Sequence, residues 1–173
     1  MRVRRLRTLV CVLAMLFALA PIRAGCASDA VTQDEASELL DAQSRSEYAL
    51  LIGVDHFVSR ADTYPSSTNN VNAMQEVFQG ALNPFRAIIV PPNPVTTVEQ
   101  LTALVQKTFG AAGKNDVCYL YLSTHGVYDP ASGQEPLLLL SDGQTENGIT
   151  PAQLEAAFDG ILGTKVIILD ACN

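Results

Sequence analysis

Basic residues are scarce in this chain, and unevenly placed. Of eleven lysines and arginines, five lie at or before Arg23, where no acid occurs. The rest of the chain sets six bases against eighteen acids, a net of about −12. So acidic a domain repels phosphate backbones, which argues against nucleic acid as a partner. The same acidity also serves solubility outside the cytoplasm without any binding role. Histidine is scarcer still: His56 and His125 are the only two, far apart in sequence, and they do not suggest a zinc site. No metal or cofactor is expected. No glycine-rich phosphate loop follows Val54, which excludes a nucleotide-binding α/β protein. No G-x-S-x-G elbow occurs either, which excludes a serine hydrolase of that kind. Internal repeats and low-complexity stretches are also absent.

Cysteine is too sparse and too dispersed for a disulfide scaffold. Cys11 lies in an apolar stretch, Cys26 at a processing boundary and Cys118 inside an apolar strand pattern, where a free thiol behaves as a small hydrophobe. Cys172 is left without a bridging partner, which is consistent with a catalytic thiol and equally with a buried inert one. The N-terminus has the form of an export signal. Arg2, Arg4, Arg5 and Arg7 precede the apolar stretch Leu9 to Ala20, which is too short for a comfortable membrane span. Residues 1–25 are therefore expected to be a signal peptide or a lipoprotein signal. Cleavage follows Ala24 or Ala27, or else Arg23-Ala24-Gly25-Cys26 serves as a lipobox-like site with Cys26 lipidated, although Arg23 stands where leucine is usual. An uncleaved amphipathic anchor is a third reading. Export places the protein in the periplasm or cell envelope, attached to the membrane through Cys26, or secreted.

Residues 26–46 read as a polar tether, and the folded domain is assigned to 47–173. Tyr48 to Val54 is a continuous apolar run, the pattern of a parallel strand covered on both faces. Asn69 to Gln79 has helical spacing with Val71, Met74 and Phe78 on one side. A second strand is expected over Arg86 to Val90 and a second helix from the Thr96-x-x-Glu99 capping box to about Phe109. Val117 to Leu122 forms the third strand. Gly133 to Gly148 reads as an irregular insertion carrying the run Leu137 to Leu140, before Thr150-Pro151 opens another helix. Lys165 to Leu169 is the fourth strand. This alternation predicts an α/β sandwich with a mostly parallel sheet. Ligands in such sheets bind beyond the carboxyl ends of the strands, where Asp55, His125 and Asp170-Ala171-Cys172 all fall.

Two blocks carry the chemistry. Val117 to Leu122 runs into Ser123-Thr124-His125-Gly126, and Lys165 to Leu169 into Asp170-Ala171-Cys172. Together with the first strand Tyr48 to Asp55 and the helix start Asn70-Val71-Asn72-Ala73-Met74, they resemble the caspase-like cysteine peptidases, the clan that includes metacaspases, paracaspases and legumains. The interval from His125 to Cys172 is similar to the caspase spacing of roughly 50 residues. The resemblance runs from Tyr48 to Cys172. It implies a caspase-like three-layer sandwich, truncated after the fourth core strand. It further implies a cysteine endopeptidase acting on peptide or protein substrates.

In such an enzyme Cys172 is the nucleophile and His125 delivers the proton to the leaving amine. The backbone N–H groups of Gly126 and Cys172 form the oxyanion hole, where a residue without Cβ allows close approach. Asp170, with Asn72 and Asp55, is assigned to the substrate pocket. An acidic residue at Asp170 favours a basic P1 side chain, although Asn72 stands where a second acid is expected. Asp170 also has a plain structural reading as a carboxylate satisfied by neighbouring N–H groups. A legumain-type peptidase and a catalytically inactive caspase-like binding module at the cell envelope remain as alternatives. Since the sequence stops one residue after Cys172, the expectation is a fragment of a longer protein, or a chain completed by a partner. The fourth strand would then be an open edge prone to pairing, with self-association a candidate.

Overall fold

The computed structural model describes residues 34, 45–60, 66–131 and 133–171. The expected signal, most of the tether, and Cys26 and Cys172 lie outside the described residues. The central element is a four-stranded sheet of β1 (Glu47–Gly53), β2 (Ala87–Ile89), β3 (Val117–Ser123) and β7 (Thr164–Asp170) in the order β2-β1-β3-β7. All three of its pairings are parallel. The apolar runs form β1 and β3 because both faces of the sheet are covered there, whereas β7 is largely exposed, Ile167 and Leu169 included.

Successive β1 residues point to opposite faces. Tyr48, Leu50, Ile52 and Val54 join Leu101, Val105 and Phe109 of helix α2 (Val98–Phe109) and Leu154 of α3 (Pro151–Ala156) in one buried cluster. Ala49 and Leu51 join Val71 of α1 (Ser66–Gln79) and Tyr121 in another, flanked by Met74 and Phe78. The architecture is thus an α/β sandwich of helix, sheet and helix, consistent with a caspase-like fold.

The helix starts differ instructively from the sequence reading. Helix α2 is capped by Thr97, whose side chain accepts from the Gln100 N–H, while the Thr96 N–H donates to Gln100 Oε1. The cap lies one residue later than the Thr96-Glu99 box, a shift that leaves Leu101, Val105 and Phe109 on the sheet. Thr150 and Gln153 form a full capping box around Pro151, as the sequence indicates. Helix α1 begins at Ser66, three residues before Asn69, because a distant carboxylate caps it.

The stretch Gly133 to Gly148 is more ordered than the irregular insertion expected. A small antiparallel sheet of β4 (Gly126–Val127), β5 (Leu137–Ser141) and β6 (Glu146–Ile149) occupies this region. Asp142-Gly143 makes its turn: Asp142 Oδ1 accepts from the Gln144 and Thr145 N–H groups, and Gly143 adopts φ +84°. Asp-Gly favours such a turn, although polar residues Ser141 and Gln144 to Asn147 flank it here.

Candidate active site

The carboxyl ends of three strands are brought level by the sheet register. Gly53 pairs with Ser123, and Ser123 with Asp170. Two further hydrogen bonds extend the alignment: Val54 N–H to the Ser123 carbonyl at 2.9 Å, and Thr124 N–H to the Asp170 carbonyl at 3.1 Å. Beyond these ends opens a cleft of about 610 Å³, lined by Asp55, Phe57, Arg60, Asn70, His125 and Asp170 among others.

Thr124 turns the chain out of the sheet. It is buried, and its hydroxyl donates to the Leu139 carbonyl at 2.5 Å, while the His125 carbonyl accepts from Leu139 N–H at 2.9 Å. The main chain at His125 is thereby tied to β5, and its imidazole lies 4.6 Å (centroid to centroid) from the Phe57 ring. Arg60 Nη1 stands 3.1 Å from Nδ1 and 3.4 Å from Nε2. A guanidinium can only donate, so the ring nitrogen it engages carries a lone pair. Burial first, then the Arg60 charge, depress the imidazole pKa, opposed by the Glu146 carboxylate. Glu146 Oε2 in turn accepts from the Val58 and Ser59 N–H groups and so anchors the segment that carries Arg60.

Gly126 lies opposite Leu138 in the β4–β5 pairing. With Leu139 N–H bonded to the His125 carbonyl, Gly126 and Leu138 are a non-hydrogen-bonded pair. The Gly126 N–H therefore points away from β5. Gly126 lines a neighbouring apolar groove rather than the polar cleft, and Ala171 borders both.

Three side chains hydrogen-bond to Asp170 at the cleft. Its Oδ2 accepts from Tyr121 Oη at 2.7 Å, Ser123 Oγ at 2.9 Å and Asn70 Nδ2 at 2.7 Å. These donors, the Tyr121 hydroxyl foremost, hold its carboxyl below the usual aspartate range. Asp55 serves a different purpose although it lines the same cleft. Its Oδ1 accepts from the Ser67 N–H at 2.8 Å, and its Oδ2 from the Thr68 N–H at 3.1 Å and from the Thr68 hydroxyl. It thus satisfies the open N–H groups of the first turn of α1. Gly53 makes this approach possible, since a Cβ there would stand 2.9 Å from the Ser67 carbonyl oxygen.

Asn72 is exposed and faces a separate small pocket with Val90 and Pro91, so it is Asn70 that α1 brings to Asp170. Positions two apart on a helix point about 200° apart, so only one of the two can reach the carboxylate. Arg60 and Tyr121 were not singled out from the sequence. Tyr121 carries a readable signal: it precedes Ser123 by two on a strand, so both project to the same face. Arg60 has no local signal, because its placement depends on the chain folding back onto His125.

The family model described as the caspase domain matches residues 46–173. No curated protein matches the chain.

Proposed function

Because this chain belongs to the caspase-domain family of cysteine peptidases, we propose that it is an endopeptidase whose reacting pair is His125 and Cys172. We assign to Asp170 the recognition of a basic P1 side chain. The observation that carries the pairing is the register. Ser123 and Asp170 are direct neighbours at the ends of β3 and β7, and His125 and Cys172 each follow their neighbour by two residues in sequence.

In the reaction, His125 takes the proton of the Cys172 thiol, and the resulting thiolate attacks the scissile carbonyl carbon. The negative charge that develops on the oxygen is met by the N–H groups of Gly126 and Cys172. The C–N bond breaks as His125 gives a proton to the leaving amine, leaving a thioester on Cys172. Water, deprotonated by the same imidazole, then hydrolyses the thioester and regenerates the thiol. Arg60 must release the ring nitrogen it engages before that nitrogen can take a proton, and the Phe57 ring limits rotation of the imidazole.

The basic-P1 assignment rests on charge. Asp170 is kept ionised by its three donors, and the acidic domain attracts cationic peptides at long range. The test is cleavage of Lys-P1 and Arg-P1 peptides by the full chain, alongside Cys172→Ala and His125→Ala. Loss of cleavage in both variants is expected. Equal cleavage by wild type and Cys172→Ala would sink the proposal. Asp170→Asn is expected to lower kcat/KM for basic peptides by about tenfold to a hundredfold, the range of a lost charge-assisted hydrogen bond.

A further inference from the structure

Tyr121 is an unusual residue to find in the middle of β3. Tyr119, the other tyrosine of the strand, is half-buried, whereas Tyr121 is only 4% exposed. Its ring belongs to the cluster beneath α1 with Val71, and a phenylalanine would fill that space equally well. The hydroxyl is what the packing does not need. A buried phenol requires a partner, and this one donates to Asp170 Oδ2.

The three donors to that oxygen come from two elements: Tyr121 and Ser123 from β3, and Asn70 from α1. Among the described residues no hydrogen bond engages Oδ1. A carboxylate has lone pairs on both oxygens, so fixing one edge leaves the other to accept from a ligand in a single orientation. Asp170 itself is exposed on an edge strand, and without the clamp its side chain would rotate freely there.

We propose that Tyr121 is a positioning residue for substrate specificity. With Ser123 and Asn70 it clamps Asp170 by Oδ2, so that Oδ1 is presented to the cation of a P1 lysine or arginine. The inference rests on the basic-P1 reading of Asp170 and extends it to a residue that touches no substrate. The donor is permanent across the working range: burial, and then the bond to Asp170, push the phenol up to about 12. The clamp therefore does not switch on and off near neutrality.

The test uses the full chain and its Tyr121→Phe variant, which keeps the ring packing. Two peptides differing only in P1, lysine or norleucine, separate charge recognition from general binding. The Asp170 side-chain carboxyl is titrated by carbon-13 NMR in both proteins. In Tyr121→Phe the Asp170 pKa is expected to rise and the lysine-to-norleucine ratio of kcat/KM to fall about tenfold. The fall should come through KM, with norleucine cleavage unchanged. An unchanged ratio alongside a raised Asp170 pKa overturns the positioning role while leaving the basic-P1 reading intact. Equal losses on both peptides also overturn it, since they mark a general structural effect. A wild-type enzyme without preference for lysine overturns the basic-P1 reading, and the inference with it.

Discussion

His125 feels two charges of opposite sign, from Arg60 in contact with its ring and from the Glu146 carboxylate. Removing the guanidinium in Arg60→Ala should let the imidazole pKa rise, read directly from the histidine ring protons by NMR titration; an unmoved midpoint would mean that burial alone sets it. Cys118 offers a control at the same scale. It is fully buried on β3, and burial, with the nearby Asp116 charge, pushes its thiol up to about 11. At pH 8 almost none of it is thiolate. After iodoacetamide treatment of the native protein at that pH, peptide mapping should find Cys118 unmodified. Rapid alkylation there would show that β3 opens in solution.

At the level of elements, the cleft depends on how α1 is seated on β1. The helix begins where it does because Asp55, immediately past β1, meets the N–H groups of Ser67 and Thr68. Asp55→Ala removes that cap, at an expected loss of about 1–2 kcal/mol in unfolding free energy, measured by urea denaturation. Because Asn70 lies on the same first turns of α1, the variant should also weaken cleavage of basic peptides. An effect on stability with none on cleavage would separate the seat of α1 from the Asp170 clamp. Gly53→Ala attacks the same junction from below. A Cβ 2.9 Å from the Ser67 carbonyl must displace backbone, at a cost of about 1–3 kcal/mol. The hairpin of β5 and β6 was read from the sequence as an irregular insertion, because Leu137 to Leu140 do not alternate and Glu146 to Gly148 carry no apolar side chain, leaving Asp142-Gly143 as the one turn signal. Pairing with β6 supplies what that local pattern lacks.

For the molecule as a whole, several shifts act in one direction. Asp116, Glu146 and Asp170 all have folded pKa values below their ordinary ones, as does His125. Asp116 illustrates the cause: its carboxylate accepts from the Ser46 and Gly113 N–H groups and ties the entry of β1 to that of β3. A group with a depressed folded pKa contributes stability that is fully present above its unfolded value and is lost as pH falls through the folded one. His125 begins to withdraw its share below about 6.5, and the carboxylates theirs below about 4. The urea midpoint should therefore decline in two stages between pH 7 and pH 3. A midpoint that rises on acidification would mean that self-repulsion among the excess acids outweighs these bonds.

The alternation of strands and helices was determined by the sequence alone. A strand covered on both faces needs a continuous apolar run, and Tyr48 to Val54 and Val117 to Leu122 have no other stable use. The ends of the runs Val117 to Leu122 and Lys165 to Leu169 also put His125 and Asp170 at the rim of the sheet, where both line the cleft. What only the tertiary structure decided is which groups meet there. Asn70 reaches Asp170 across 100 residues of sequence, and whether Asn70 or Asn72 does so depends on the rotational phase of α1. That phase is set by Asp55, which caps the helix from the segment just past β1. Arg60 reaches His125 in the same way, through a segment held by Glu146. Contacts of this kind depend on helix phase and on chain segments distant in sequence, and neither is written in local composition or spacing.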